Sequence, residues 1–524
     1  MRALPATLCL LLPFPTLTAA PVPSAGPPLS PAAREQLRAE SLNYAQQLLS
    51  VASQISAAYV RPVSRADLLH AGLTGLFQAA RQPVPSTLRA DLARPADETA
   101  LVEFLVRMRE RLGPCEAIHE PKALLVSCQA MMKLLDPYCA VVTEEERRDQ
   151  PWGDQPVGIG LELEDNAGIG PLRIRKVHPG GPAQKAGLLP GDVITHIDTR
   201  RIKKGTTSAQ AAGLLQRGAR VGPSVGFTMD LAEPLDARPV RLTVSRPGRK
   251  AWDVVLEFQS GRPESVLGVI RNDNNSWDYL LDRTNKIAHV RIACLNRGTA
   301  DDLRDVLTRH EEELRGLVLD LRWCPGGFLD EALGVAGLFL DNVKLATVKS
   351  RTEKPHEYQN TQPKRFLDLP LVVLVNGQTS GGAELIAAAL QHYKRAAVAG
   401  QRTRGKASVQ TTIFANLPGA TIRLTSGEFV RPDDRNLHRT PKSRLRDDWG
   451  VCPSPELEFR VSPEFDCQLR QWWEQQTLRP GTATQALPLD DSASDPQREV
   501  ALRGVLEAMK KGNIARKEVE RTQK

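Results

Sequence analysis

Leu317-Val318-Leu319-Asp320-Leu321-Arg322-Trp323-Cys324-Pro325-Gly326-Gly327-Phe328-Leu329-Asp330-Glu331-Ala332 carries three local signals in order. The opening apolar run reads as a buried strand, the polar and Gly-rich middle as a turn, and the stretch after it as the start of a helix. The same order returns in Val373-Leu374-Val375-Asn376-Gly377-Gln378-Thr379-Ser380-Gly381-Gly382-Ala383-Glu384-Leu385-Ile386-Ala387. Around these two stretches, residues 288–292, 317–319 and 371–375 read as strands, and 299–313, 330–339 and 383–392 as helices. That alternation predicts an α/β core, placed at 251–470.

Working outward, the texture changes on the N-terminal side. From about Pro156 to Arg246 short β-rich runs at 157–163, 172–177, 192–197, 225–229 and 240–244 are broken by glycines, with one helical pattern at 207–216. A β module carrying helices is expected at 151–250. Before it, Leu42, Ala45, Leu48, Leu49 and Ala52, then Leu68, Leu69, Leu73 and Leu76, then Leu101, Phe104, Leu105 and Met108 fall mostly at spacings of three and four, which predicts a helical domain at 26–150. Residues 471–524 read as a polar, Pro/Gly-rich linker and a closing helix from about Arg498 to Lys511. The fold class expected is thus multidomain α+β: a helical domain, a β module and an α/β core.

The chain has 524 residues, too many for one core. Its first twenty residues run from Arg2 through Leu8-Cys9-Leu10-Leu11-Leu12 to the small Thr18-Ala19-Ala20, the pattern of a secretory signal, with cleavage expected by about Ala25. No later stretch has the apolar length of a membrane span, so a soluble or peripheral exported protein is expected. The net charge of +8 is spread through segments that also hold Asp and Glu, which argues for a solvated surface and against a nucleic-acid groove. Seven cysteines remain once Cys9 is removed with the signal, none in a Cys-x-x-Cys pair, so no zinc site and no cofactor is expected. Cys115 with Cys128 and Cys452 with Cys467 are candidate disulfides for an exported chain.

In the second strand-to-helix turn, Ser380 sits where positive backbone dipoles suit a nucleophile, and Gly-rich turns of this kind expose N–H groups that can hold an oxyanion. Taken alone, the glycines are explained equally well by a tight turn. A base is missing nearby: His392 is the only histidine close in sequence, and Lys406, in Gly400-Gln401-Arg402-Thr403-Arg404-Gly405-Lys406-Ala407, offers an amine that accepts a proton once desolvated. In the β module, Gly158-Ile159-Gly160-Leu161 begins a strand with glycines that turn N–H groups outward, a nest for a peptide carboxylate.

Residues 177–194, Val-His-Pro-Gly-Gly-Pro-Ala-Gln-Lys-Ala-Gly-Leu-Leu-Pro-Gly-Asp-Val-Ile, closely resemble the signature of PDZ domains, which bind a peptide as an added strand. The whole order of segments resembles the C-terminal processing peptidases, or tail-specific proteases. Leu134-Leu135-Asp136-Pro137-Tyr138-Cys139 with Glu144-Glu145-Glu146 resembles the end of that family's helical region. Asp320-Leu321-Arg322 with Pro325-Gly326-Gly327 resembles its strand-to-helix turn, and Trp449-Gly450-Val451 with Pro453 its closing strand region. The resemblance implies a core of the ClpP/crotonase-like type and a Ser/Lys serine peptidase. It makes Lys406 the general base and Gly327 an oxyanion donor, and it implies that the PDZ-like module binds the C-terminal ends of substrate proteins.

One residue departs from the pattern. The family commonly places its nucleophile three residues before the glutamate corresponding to Glu384, and that position is Gly381. Either the turn is shifted so that Ser380 reaches the same point, with the Gly381 N–H completing the oxyanion hole, or the site is impaired. We take Ser380, Lys406, Gly327 and Gly381 as the expected catalytic set and Gly158 to Leu161 as the peptide-binding set. An exported serine endopeptidase is expected, with a non-catalytic peptide-binding scaffold and a basic surface-binding protein as rivals. The oligomeric state is not readable from the sequence.

Overall fold

A computed structural model describes residues 30–143, 158–164, 169–215, 239–259, 263–360, 366–413, 417, 419–440, 442–478 and 495–522. The expected signal at 1–25, Glu144-Glu145-Glu146 and the strand expected at 225–229 lie outside these residues.

Helices α1 (Pro31–Ala58), α2 (Arg65–Ala79), α3 (Glu98–Leu112) and α4 (Lys122–Leu134) form the N-terminal region. Three begin at side-chain caps: Ser30 accepts from Ala33 N–H, Ser64 from Asp67 N–H, and Asp97 from Ala100 N–H. Leu48, Leu49, Ala52, Leu68, Leu73, Leu76 and Leu105 are buried between them as the periodicity predicts. Gly75 lets α2 and α4 approach, since a Cβ there would lie 2.4 Å from the Ala130 Cβ. The region does not close on itself, however. Strand β1 (Ala140–Thr143) pairs antiparallel with the strand 420–430 of the core, and Ile422 and Leu424 share the helical region's apolar cluster.

The β module holds β2 (Leu161–Leu163), β3 (Leu172–Val177), β4 (Val193–Ile197), helix α5 (Ser208–Leu215), β5 (Val240–Arg246) and β6 (Arg249–Leu256). The strands run in the order β2-β3-β4-β5-β6, which leaves β2 at one edge. Alternating Leu172 and Ile174, and Val240, Leu242 and Val244, point inward.

In the core, β7 (Ile287–Ile292), helix α6 (Thr299–Arg309), β8 (Gly316–Asp320), helix α7 (Leu329–Gly337), β9 (Lys344–Ser350), β10 (His356–Gln359), β11 (Leu371–Val375), helix α8 (Gly382–His392), β12 (Ala397–Gly400), β13 (Ser408–Ile413) and β14 (Ala420–Val430) follow in turn. The parallel sheet runs β7-β8-β11-β12, with Leu319 opposite Val290 and Val373. β9, β10, β13 and β14 join β1 in a second, antiparallel sheet that the sequence patterns did not suggest. In the parallel strands Leu317, Leu319, Val373 and Val375 pack under α6, α7 and α8, while Val318, Val372 and Leu374 face the other way.

That other face is covered by the last helix. After α9 (Pro463–Leu478), α10 (Pro496–Thr522) lays Val500, Ala501 and Val505 against Val318, Val372 and Leu374. The closing helix, expected outside the core, is one of its layers: strands buried on both faces need a second cover. Among the described residues all seven cysteines are free, so neither candidate disulfide is formed. No helix of the described residues is long and apolar enough to cross a membrane.

Candidate active site

The two Gly-rich turns meet at the carboxyl ends of β8 and β11, where open α/β sheets place their ligands. Ser380 N–H donates to the Cys324 carbonyl (3.0 Å), and Ser380 Oγ–H donates to the Pro325 carbonyl (3.0 Å). The contact is close enough to demand glycine. A Cβ at Gly326 would lie 2.8 Å from the Ser380 carbonyl, and one at Gly327 (φ 152°) would lie 2.2 Å from the Leu295 carbonyl. The Leu295 N–H donates to Gly326 and the Leu295 carbonyl accepts from Phe328, so the backbone on both sides of Gly327 is fixed.

Position 381, rather than 380, holds the unusual backbone. Gly381 has φ 62° and ψ −129° and forms the N-cap of α8. Its N–H, expected to help hold an oxyanion, donates to Glu384 Oε2 (3.1 Å). Ser380 is only 3% exposed. Glu384 thus fixes where the helix starts relative to the turn, with Gly381 at its N-cap and Ser380 one residue before it.

Glu384 was only a landmark in the sequence; in the structure it ties the site together. Besides Gly381 it accepts from Thr403 Oγ1 (2.5 Å), Gly405 N–H (2.6 Å) and Lys406 N–H (2.7 Å). Burial pushes its carboxyl above the usual range, against the pull of these four donors. The signal that could have found it is an acidic residue in the first turn of a helix whose next six residues are all Ala, Ile or Leu.

The Lys406 amine lies 5.4 Å from the centroid of the Tyr138 ring. Tyr138 is itself oriented by a buried knot. Asp136 accepts from Tyr138 N–H (2.9 Å), Thr425 Oγ1 (3.0 Å) and the Tyr59 hydroxyl (3.2 Å). Burial, aided by Arg423 and Arg404, lowers the Lys406 amine to about 8, with Glu384 and Asp136 pulling upward. A lysine depressed from 10.5 to about 8 has a neutral fraction of roughly a tenth at pH 7, enough to accept protons.

The same depression has a consequence for stability. Below pH 8 the folded chain carries a cation that the unfolded chain solvates better, and the penalty fades as pH rises from about 8 toward 10.5. Lys406→Met is therefore expected to stabilise the fold at pH 7 by roughly 1–3 kcal/mol, discounted for partial exposure. Thermal unfolding midpoints of parent and variant should converge by about pH 10.5; a gap independent of pH would contradict the depressed amine.

The peptide-binding residues are built separately. Gly158 and Gly160 have φ of 58° and 79°, and Gly158 pairs with Gln259. The Ile159 carbonyl accepts from Ala183 N–H (3.0 Å) and the Gly160 carbonyl from His178 N–H (2.9 Å), which ties the carbonyls of this loop inward. Leu161 then opens the edge strand β2. His392, the other base considered, faces Asp433 (3.6 Å). Burial pushes the Cys324 thiol up, out of reach of a nucleophile's role.

Residues 286–448 match peptidase family S41, and residues 173–221 match the PDZ domain. The chain is 28% identical over 311 residues to the "Probable CtpA-like serine protease" of Staphylococcus aureus (strain COL), covering 58% of this chain and 56% of that protein. It is 26% identical over 316 residues to the carboxy-terminal processing protease CtpA of Bacillus subtilis (strain 168), covering 59% and 60%. The matches thus span less than two thirds of those relatives. Among solved structures, the photosystem II D1 C-terminal processing protease aligns over 80% of this chain and 93% of its own, with 22% identity and a TM-score of 0.39.

Proposed function

We propose that this member of the C-terminal processing peptidase family, with its PDZ domain and S41 core, is an exported serine endopeptidase that takes protein C-terminal tails and cleaves with Ser380 and Lys406. The observation that carries it is the lysine. A half-buried amine lowered to about 8, with its backbone held by Glu384 beside the serine turn, is costly to fold and is the form a general base needs.

In this mechanism a tail adds to β2 as a further strand, its carboxylate meeting the loop from Ile159 to Leu161, since the Gly158 N–H expected in the nest donates to the Gln259 carbonyl (3.2 Å) instead. Ser380 Oγ attacks the scissile carbonyl while neutral Lys406 takes its proton. The developing oxyanion is held by Gly327 N–H, and Lys406 then returns the proton to the leaving amine. Water completes hydrolysis of the acyl-enzyme. Two resting bonds must open first: Ser380 Oγ must leave Pro325, and Gly381 N–H must leave Glu384 if it is to join the oxyanion hole.

A second reading has one specific observation in its favour. The positive-φ position at the head of α8 is Gly381, which has no side chain, so the same architecture describes a tail-binding scaffold without a nucleophile. A peptide ending in a free carboxylate, its amidated twin, and the Ser380→Ala variant separate the two. We expect slow cleavage by the parent, a loss of at least about 10³-fold in Ser380→Ala, and weaker binding of the amide. Tail binding without cleavage would establish the scaffold, and unchanged cleavage by Ser380→Ala would remove Ser380 as nucleophile.

A further inference from the structure

We infer that Asp466, on helix α9 and remote in sequence from both turns, is a positioning residue that sets the oxyanion turn and the serine turn against each other. Its carboxylate is 7% exposed and accepts three hydrogen bonds from the two turns. Oδ1 accepts from Asn376 Nδ2 (2.9 Å), and Oδ2 accepts from Gln378 Nε2 (3.0 Å) and from the Trp323 indole Nε1 (3.1 Å).

Each of those partners controls backbone in its turn. Asn376 Oδ1 accepts from the N–H groups of Gln378 (3.1 Å) and Thr379 (3.2 Å), and across to the other turn from Trp323 N–H (3.1 Å). Thr379 Oγ1 donates to the Leu321 carbonyl (2.8 Å), and Ser380 N–H follows with its bond to Cys324. Trp323 has φ 56°, a left-handed conformation that a bulky residue adopts only when its surroundings impose it. Its backbone N–H and its indole N–H, held by Asn376 and Asp466, are the fixed points that impose it. Two residues on begins Pro325-Gly326-Gly327, where Ser380 Oγ and the proposed oxyanion donor meet.

An aspartate suits this place because an ionised carboxylate offers acceptors only, and every neighbour here donates. Asparagine has nearly the same shape but turns one oxygen into a donor, so the Asn376 link or the Trp323 and Gln378 links must be lost. Asp466 touches no substrate in this scheme; it acts through Asn376 and Trp323.

The inference rests on the proposed peptidase site for its catalytic meaning, so the test has a readout that does not depend on cleavage. In full-length Asp466→Asn, backbone amide exchange in 323–328 and 376–381 should accelerate at least tenfold while the PDZ segment 172–197 is unchanged. Where the parent cleaves peptide, kcat should fall at least about thirtyfold with KM held within twofold. If Asp466→Asn does not fold, Trp323→Phe and Gln378→Ala each cut one link and should give the same local acceleration in smaller degree. Exchange rates in both turns equal to the parent's, in variants that fold, would overturn the inference. A parent that binds tails but never cleaves would sink the peptidase reading and leave Asp466 to be decided by exchange alone.

Discussion

Gly381→Ser is expected to raise peptide hydrolysis by about 10²- to 10⁴-fold over the parent chain. Position 381 caps α8 directly beside the Gly-rich turn, and a Cβ built on it lies 3.4 Å from the Pro325 carbonyl and 3.7 Å from Gly326 Cα, ordinary van der Waals separations. The new Cβ therefore fits in front of the Gly-rich turn at ordinary contact distances. The Lys406 amine, the proposed base, is already lowered to about 8. The cost falls on the backbone, since a serine at φ 62° is strained by about 1–3 kcal/mol, and a modest drop in unfolding midpoint should accompany the gain. The double variant Ser380→Ala, Gly381→Ser should keep the gain, because the added hydroxyl makes the native one dispensable. Cleavage rates, with a serine-directed covalent probe to locate the labelled residue, decide it. If Gly381→Ser folds and gains nothing, Lys406 and the turn do not form a working base and oxyanion hole, whichever serine is supplied.

The parts of this site that could be read in the sequence are those built from contiguous residues. Each strand-to-helix turn announces itself locally, because a buried strand, a glycine stop and a helix start are all short-range signals. The strands at 287–292, 316–320 and 371–375 and the helices at 299–309, 329–337 and 382–392 accordingly fall close to where periodicity places them. What escaped depends on pairing across distance. β14 pairs locally with β13, but its other partners β1 and β9 come from distant parts of the chain, and no local pattern announces such a sheet. Glu384, Asn376 and Asp466 were missed for a related reason. A carboxylate in an amphipathic helix such as α9 reads as a solvated face, and only the fold shows that the donors of two distant turns converge on it. The start of α8 is the subtlest case. Glycines at 381 and 382 permit a shift of one residue, and it is the four-donor grip on Glu384 that holds the helix start at 381.

Asp495→Ala should destabilise the chain by about 3–5 kcal/mol and loosen α10 from the sheet. Arg322 lies wholly inside the protein between two carboxylates, with Asp320 Oδ2 and Asp495 Oδ2 each 2.7 Å from Nη2 and Asp495 Oδ1 3.0 Å from Nη1. The Trp473 indole donates to Asp495 (3.1 Å), and His289 meets Asp320 (3.0 Å). Burial would raise both carboxyls, but the charge of Arg322 outweighs it and holds both below the usual carboxylate range. A depressed carboxylate contributes stability that is complete above its unfolded value near 4 and is lost only as pH falls below that, so the parent should resist acid until well under pH 4. Removing Asp495 leaves Arg322 with one carboxylate for its whole fork, a charge only partly compensated and shut away from water. The effect should not stop at stability. Arg322 is joined to Trp323, and α10 covers the face of β8 and β11 opposite the helices, so a released C-terminal segment uncovers the strands whose ends carry both turns. Limited proteolysis should cut the variant within α10, between 496 and 522, faster than the parent, and amide exchange at 316–327 should rise with it. If α10 were detached while exchange at 316–327 stayed at the parent's rate, the last helix would be a cover only, and the turns would owe their geometry to Asp466 and Glu384 alone.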